Sequence, residues 1–275
     1  MITRTVSGLI GGLLVLMVIF FNERLPFLVN FFIATVCALA CFELYSTSKL
    51  SKNFKIVIPG LIFSTILPLF GHGLLWKISW YIYTLAMLLI LIFSRKSLNF
   101  KDVAAIYGMT LLITFSLTTI IDLRTIGGIY SNFYIILALC IPWLADTGAY
   151  FCGTLFGKTK LCPDLSPNKT VEGAFGGIIF CLLTNLLISL FFKIFSLPKN
   201  VDVNYLYVAL LAFVGALISI IGDLFFSMIK RCYHVKDFGS VVPGHGGILD
   251  RFDSVILVSP FIYFMLKNFD VLLKV

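Results

Sequence analysis

Three aspartates near the C-terminal end of the chain, Asp223, Asp250 and Asp253, are interleaved with four cations, Lys230, Arg231, Lys236 and Arg251, and with the run Pro243-Gly244-His245-Gly246-Gly247. Asp223, Ser227 and Lys230 are spaced to share one face of a helix. Asp250 and Asp253, three residues apart, do the same on a second helix. Oxygen-only carboxylate sets suit Mg²⁺, which keeps several waters and is held by one or two carboxylates alongside substrate phosphates. The cations and the glycine-rich backbone suit the phosphates themselves. His245, between glycines, fits either a phosphate contact or the turn geometry. The bland alternative is that Asp250 caps a helix and the cations are ordinary flanks of membrane spans.

These residues sit in an unusual chain. Of 275 residues, 60% are hydrophobic and 12% charged, against about 25% charged in an ordinary soluble domain. Apolar runs occur at Val6–Phe21, Leu25–Leu44, Ile56–Phe70, Ile78–Phe93, Val103–Ile121, Ser131–Trp143, Ala174–Phe195, Leu206–Phe226 and Ser254–Leu266. With their flanks they approach the roughly 20 residues that a helix needs to cross a bilayer. The expected fold is an all-α, polytopic integral membrane protein of about nine transmembrane helices. The first run lacks a small-residue cleavage site and ends in Phe20-Phe21-Asn22-Glu23, which reads as a membrane exit and not as a removed leader.

With nine crossings, one side collects twice as many Lys and Arg as the other, including Arg4, Lys49, Lys52, Lys55, Arg95, Lys96, Lys101, Lys158, Lys160 and Lys169. The positive-inside rule then places the N-terminus and the polar connections in the cytoplasm. The net charge of +8 is spread over short loops and not over one soluble face, so nucleic acid is not an expected partner. Seven cysteines form no Cys-x-x-Cys pair, and their expected state is the free thiol. Two connections stand out as long, glycine-rich and ionisable, about Ala145–Gly173 and Phe226–Asp250. Residues 1–125 read as scaffold helices and 126–275 as the chemical region of one membrane domain. Gly8/Gly12 and Gly173/Gly177 have the small-xxx-small spacing of helix packing. His72 and His234 show no partner. Gly153-Thr-Leu-Phe-Gly157-Lys158-Thr159 is one residue short of a P-loop, and Asn168-Lys169-Thr170 fits a glycosylation sequon on the wrong side.

The stretch from Ser227 to Asp253 resembles the signature of the phosphatidate cytidylyltransferases, or CDP-diacylglycerol synthases: Ser-x-x-Lys-Arg, then Lys-Asp, then His-Gly-Gly-x-x-Asp-Arg-x-Asp. Each of those positions is matched, and Val242 stands where Leu, Ile or Phe is usual. Trp143-Leu-Ala-Asp146-Thr147-Gly148-Ala149-Tyr150-Phe-Cys-Gly153 and Leu165-Ser166-Pro167-Asn168-Lys169-Thr170-Val171-Glu172-Gly173 are similar to two further blocks, with Asn168 and Val171 departing from the Lys and Trp often found there.

The resemblance implies transfer of a cytidylyl group from CTP to phosphatidic acid, releasing pyrophosphate, at the inner cell membrane and in a homodimer. It implies Mg²⁺ held by Asp223 and Asp250 with Asp253, and Asp146 as a further ligand to metal or nucleotide. A second cation such as K⁺ is compatible with it. Lys230, Arg231, Lys236 and Arg251 would hold phosphates with Ser227, His245 and the N–H groups of Gly246 and Gly247, and Lys169 would serve either substrate. Two other readings stay open. A CTP-dependent lipid-alcohol kinase would use similar groups and release CDP. A transporter would use Asp146, Asp223 and Asp250 as a coupling site, but such proteins show polar groups in both of two pseudo-symmetric halves, and here they concentrate in one.

Overall fold

The computed structural model describes residues 2–48, 50–70, 73–94, 96, 98–244 and 246–274. His245, His72, Lys49 and Arg95 lie outside the described residues. Helices dominate: α1 (Ile2–Phe21), α2 (Phe27–Thr47), α3 (Phe54–Phe70), α4 (Leu74–Phe93), α5 (Phe100–Gly127), α6 (Ser131–Phe156), α7 (Val171–Phe195), α8 (Tyr205–Cys232) and α9 (Leu249–Asn268). Among the described residues, five stretches are long and apolar enough to cross a membrane: Phe27–Thr47, Leu74–Phe93, Phe100–Phe156, Val171–Phe195 and Tyr205–Cys232. Large side chains such as Phe93, Leu74 and Ile62 project outward. A contiguous apolar exterior of this kind is tolerated by lipid and not by water, so the chain is a membrane protein.

The chain divides into two compact units, Met1–Asp122 with Cys232–Phe252, and Leu123–Arg231 with Asp253–Val275. In the first unit, Tyr45 on α2 and Thr110 on α5 share a buried hydrogen bond of 2.9 Å. Gly60 on α3 faces that tyrosine where any side chain would collide with the ring. Asn30 donates to the Pro68 carbonyl at the end of α3 (3.0 Å), satisfying an acceptor that the helix itself leaves over.

In the second unit α6 and α7 approach closely. A methyl on Gly177 would meet the Ala145 carbonyl and Ala149, one on Gly173 would meet the Ala149 carbonyl and the Gly153 backbone, and one on Gly148 would meet Phe180. The packing role expected of Gly173/Gly177 is therefore observed. For Gly8/Gly12 it is not, because a methyl on Gly12 meets nothing within 4 Å. The core of this unit joins Leu137, Ile141, Leu211, Ala212, Val258 and Ile262, contributed by α6, α8 and α9.

Three expectations need correction. The chain is not wholly helical: β1 (Lys160–Cys162) pairs antiparallel with β2 (Ser166–Thr170), and β3 (Val201–Val203) with β4 (Leu272–Lys274). Second, the connection expected from Ala145 is helix as far as Phe156. A polar residue at 146 ends an apolar count but not a helix whose aspartate finds partners. Third, the connection expected from Phe226 begins only after α8 ends at Cys232, while Asp223, Ser227 and Lys230 lie on that one helix as their spacing implied.

Replacing Gly177 with Val is expected to lower the melting temperature of the detergent-purified protein, since overpacking costs about 1–3 kcal/mol. Gly12→Val should leave it unchanged. Equal melting of the two variants would contradict the close approach of α6 and α7.

Candidate functional site

Two sets of functional groups emerge, one in each unit. In the second unit, α6, α8 and α9 each contribute one aspartate. Asp146 on α6 accepts from the hydroxyls of Ser254 on α9 (3.0 Å) and Ser219 on α8 (3.4 Å). Asp253, buried near the start of α9, accepts from the Ser254 N–H at 2.7 Å. Asp223 on α8 accepts from Ser227, one turn further along, at 3.3 Å and forms an ion pair with Lys169. The field of Asp223 reaches both Asp146 and Asp253, and the ammonium groups of Lys169 and Lys230 offset it. Carboxylates concentrated among apolar helices repel one another, and such an arrangement persists only with hydroxyls, ammonium groups or a bound cation to balance it.

Lys169 reaches Asp223 because of the hairpin that precedes α7. The Thr170 side chain caps α7 by accepting from the Gly173 N–H at 3.1 Å. Glu172 accepts from the N–H groups of Lys158 and Thr159, each at 3.1 Å, closing the chain on itself between α6 and β1. Arg231, exposed at the end of α8, donates to the Leu165 carbonyl in the hairpin (3.2 Å). The Gly153–Thr159 segment begins inside α6 and has no strand before it, so it is no phosphate loop.

The first unit holds the glycine-rich connection from Tyr233 to Ile248. His234 opens it in a left-handed turn (φ 57°), exposed, and Gly244 and Gly246 have φ of 79° and 82°, which other residues rarely adopt. The Val242 N–H donates to the Gly246 carbonyl at 3.0 Å. Asp250 Oδ2 accepts from the N–H groups of Phe238 (2.9 Å) and Gly247 (3.0 Å), so Asp250 does fold its own loop. Lys236 and Arg251 are exposed, and Gly246 is half-buried.

One participant has no counterpart among the residues expected from sequence. Glu43 on α2 is buried, with 3% exposure. Its two oxygens accept from Ile248 N–H (3.0 Å) and Leu249 N–H (2.8 Å) at the start of α9. Four residues on, Thr47 donates to the Phe238 carbonyl at 3.0 Å. A signal for Glu43 was available: it is an acidic residue inside an apolar run of spanning length, which by itself suggests a function. Ser219 and Ser254 gave none, since serines in apolar helices commonly bond their own backbone.

Of the expected site residues, Asp146, Lys169, Asp223, Ser227, Lys230, Arg231 and Asp253 fall in the second unit, and Lys236, Gly246, Gly247, Asp250 and Arg251 in the first. Among the described residues no three His, Cys, Asp or Glu form a ready metal cage. All seven cysteines are free thiols.

Fold and groups together define a helical membrane protein built to balance clustered carboxylates against cations and backbone N–H groups. Comparison of the sequence with known families extends this. Residues 2–269 match the model of the cytidylyltransferase family, and the chain belongs to that family. It is 35% identical, over 284 aligned positions that cover 97% of each chain, to the phosphatidate cytidylyltransferase of Bacillus subtilis (strain 168). It is 47% identical over 133 residues to that of Staphylococcus epidermidis (strain ATCC 12228 / FDA PCI 1200) and 48% identical over 133 residues to that of Staphylococcus haemolyticus (strain JCSC1435), each match covering 48% of both chains.

Lys169→Met leaves Asp223 without its counter-charge. A loss of about 1–3 kcal/mol is expected, as for a half-buried charged group deprived of its partner, read as a lower melting temperature. Adding Asp223→Asn should restore part of that loss. A double variant less stable than the single one would contradict the pairing.

Proposed function

We propose that the protein transfers the cytidylyl group of CTP to phosphatidic acid, giving CDP-diacylglycerol and pyrophosphate. One observation carries the proposal: Asp146, Asp223 and Asp253 gather with Lys169 and Lys230 in a chain of the cytidylyltransferase family. The Bacillus subtilis relative, a phosphatidate cytidylyltransferase matched over 97% of both chains, points to phosphatidic acid as the acceptor.

In the reaction a phosphate oxygen of phosphatidic acid forms a bond to the α-phosphorus of CTP, and the bond from that phosphorus to the oxygen bridging to the β-phosphorus breaks. The electron pair leaves with pyrophosphate. The attacking phosphate is already ionised at neutral pH, so no side chain needs to remove a proton. Both reactants are anionic, and the residues must overcome their repulsion.

Lys169, Lys230 and Arg231 supply positive charge on the second unit, and Lys236 and Arg251 on the first. Ser227 and His245, with the N–H groups of Gly246 and Gly247, complete the proposed phosphate contacts. Preformed charge of this sort stabilises the developing pyrophosphate without reorganisation at the moment of reaction. Orienting two bound reactants contributes as well.

The donor set fits Mg²⁺. Asp146, Asp223 and Asp253 in the second unit, and Asp250 in the first, each offer only hard oxygens, and a cation that keeps its waters needs no three-sided protein cage. Bound there, Mg²⁺ would polarise phosphoryl oxygens and neutralise charge on the leaving group. A second cation such as K⁺ is compatible with the surplus of carboxylates.

We place the chemistry in residues 126–275, with residues 1–125 as scaffold. The chain would cross the cell's inner membrane nine times, N-terminus and site facing the cytoplasm where CTP is found, and function as a homodimer. Phosphatidic acid would arrive laterally, tails still in the bilayer.

The test is incubation of the purified protein with [α-³²P]CTP, phosphatidic acid and Mg²⁺. The expected result is label in the organic phase as CDP-lipid, with pyrophosphate released, no turnover in EDTA, and a loss of about 10²–10³-fold for Asp250→Asn, the size typical of removing one group that stabilises a transition state. Absence of CDP-lipid would reject the proposal. Appearance of CDP in place of pyrophosphate would assign a lipid kinase instead.

A further inference from the structure

We propose that Glu43 is a positioning residue: from α2 its carboxylate sets the end of the glycine-rich connection and the first turn of α9, and through them the orientation of Asp250. The catalytic part of this inference rests on the function proposed above; the structural part does not.

Four observations within the first unit converge on it. First, both oxygens of Glu43 are used, on two successive N–H groups, Ile248 and Leu249, that begin α9. The opening N–H groups of a helix have no partner inside it, and a carboxylate there also meets the positive end of the helix dipole. Here the capping group comes from a residue 205 positions earlier in the chain, and not from the local Ser, Thr, Asp or Asn that usually does this work.

Second, the same α2 surface holds the other end of the connection. Thr47, one helical turn beyond Glu43, donates to the Phe238 carbonyl, and the Phe238 N–H is taken by Asp250 Oδ2. Phe238 is thereby fixed on one side by α2 and on the other by Asp250. Glu43 fixes the backbone immediately before Asp250. The aspartate is thus braced from both directions by two side chains of one helix.

Third, the glycines respond to Glu43. A methyl on Gly239 or on Gly247 would fall on the Glu43 carboxylate. Gly247 is not among the positive-φ residues, so its φ is open to alanine, and the nearest obstacle is the carboxylate. A double glycine at 246 and 247 has, on this reading, two separate causes. Gly246 serves the turn, and Gly247 makes room for Glu43.

Fourth, the burial is costly. Glu43 is buried in the last turns of α2, and an acidic side chain within a spanning helix is costly unless it is paired, by up to about 2.5–3.5 kcal/mol at the helix centre on insertion scales. Hydrogen bonds to an ionised group are roughly twice as strong as neutral ones, which offsets part of this. A glutamine would be cheaper to bury, yet it could offer only one acceptor where two N–H groups converge.

The experiment uses the full chain in detergent and two variants that attack the contact from opposite sides, Glu43→Gln and Gly247→Ala. Hydrogen exchange of peptides spanning 237–250 is measured together with CDP-lipid formation. Both variants should speed exchange at the Ile248 and Leu249 amides. Both should also lower kcat by about 10–100-fold, the usual effect of removing an outer partner that orients a functional ligand, with KM for CTP little changed. In a Glu43→Ala background, which opens the space, Gly247→Ala should add little further loss. Unchanged exchange in both single variants would overturn the clamp. Faster exchange with wild-type turnover, or fully additive losses in the double variant, would overturn its positioning role. If the wild-type protein makes no CDP-lipid, the proposed function fails, and the exchange data still decide whether Glu43 holds the loop.

Discussion

Negative charge placed among apolar helices has to be balanced where it stands. Water is scarce there, and an uncompensated carboxylate within a span carries a penalty of some kcal/mol. The chain meets this demand in two chemically different ways. In the second unit the partners of two of the aspartates are side chains, Lys169 for Asp223 and the hydroxyls of Ser219 and Ser254 for Asp146, and Asp253 adds the Ser254 N–H. In the first unit they are backbone N–H groups at the beginning of α9 and in the preceding connection, shared between Glu43 and Asp250.

The difference has consequences for what each set can do. Backbone N–H groups within a folded turn cannot leave, so Glu43 and Asp250 Oδ2 are tied to the architecture. Side-chain partners can. Lys169 is carried on a short two-stranded hairpin, about a quarter exposed, and on the proposed function its ammonium group would exchange Asp223 for a nucleotide phosphate. The close packing of α6 on α7 through Gly148, Gly173 and Gly177 brings the helix that follows the hairpin against α6. A rigid carboxylate frame with an exchangeable cation suits a site that must admit and release a highly charged substrate.

Much of this was legible in the residues alone. The long signature from Ser227 to Asp253 announced itself because glycines, carboxylates and cations at fixed spacing are improbable in a lipid-facing segment. Helix-face spacing placed Asp223 beside Ser227 correctly. The ends of α6 and α8 were misjudged for one physical reason: hydropathy stops at the first charged residue, whereas a helix stops only when its backbone loses partners. Asp146 and Lys230 lie beyond the apolar count and still within regular helix. The hairpin was missed because three- and five-residue strands leave almost no alternation to read. Glu43 was visible but was absorbed into the apolar stretch around it, and its partners lie two hundred residues away, a pairing that local pattern cannot express.

On the proposed function, Asp223 holds a hard divalent cation with Asp253 and Asp146 among the carboxylates of the second unit. Manganese, a paramagnetic stand-in for Mg²⁺, allows this to be measured directly. Free Mn²⁺ is followed by electron paramagnetic resonance as the purified protein is titrated in without nucleotide, for the wild type and for Asp146→Asn/Asp223→Asn. Loss of free signal with the wild type, and its persistence with the double variant, is the expected outcome. Identical titrations for the two proteins would contradict the claim.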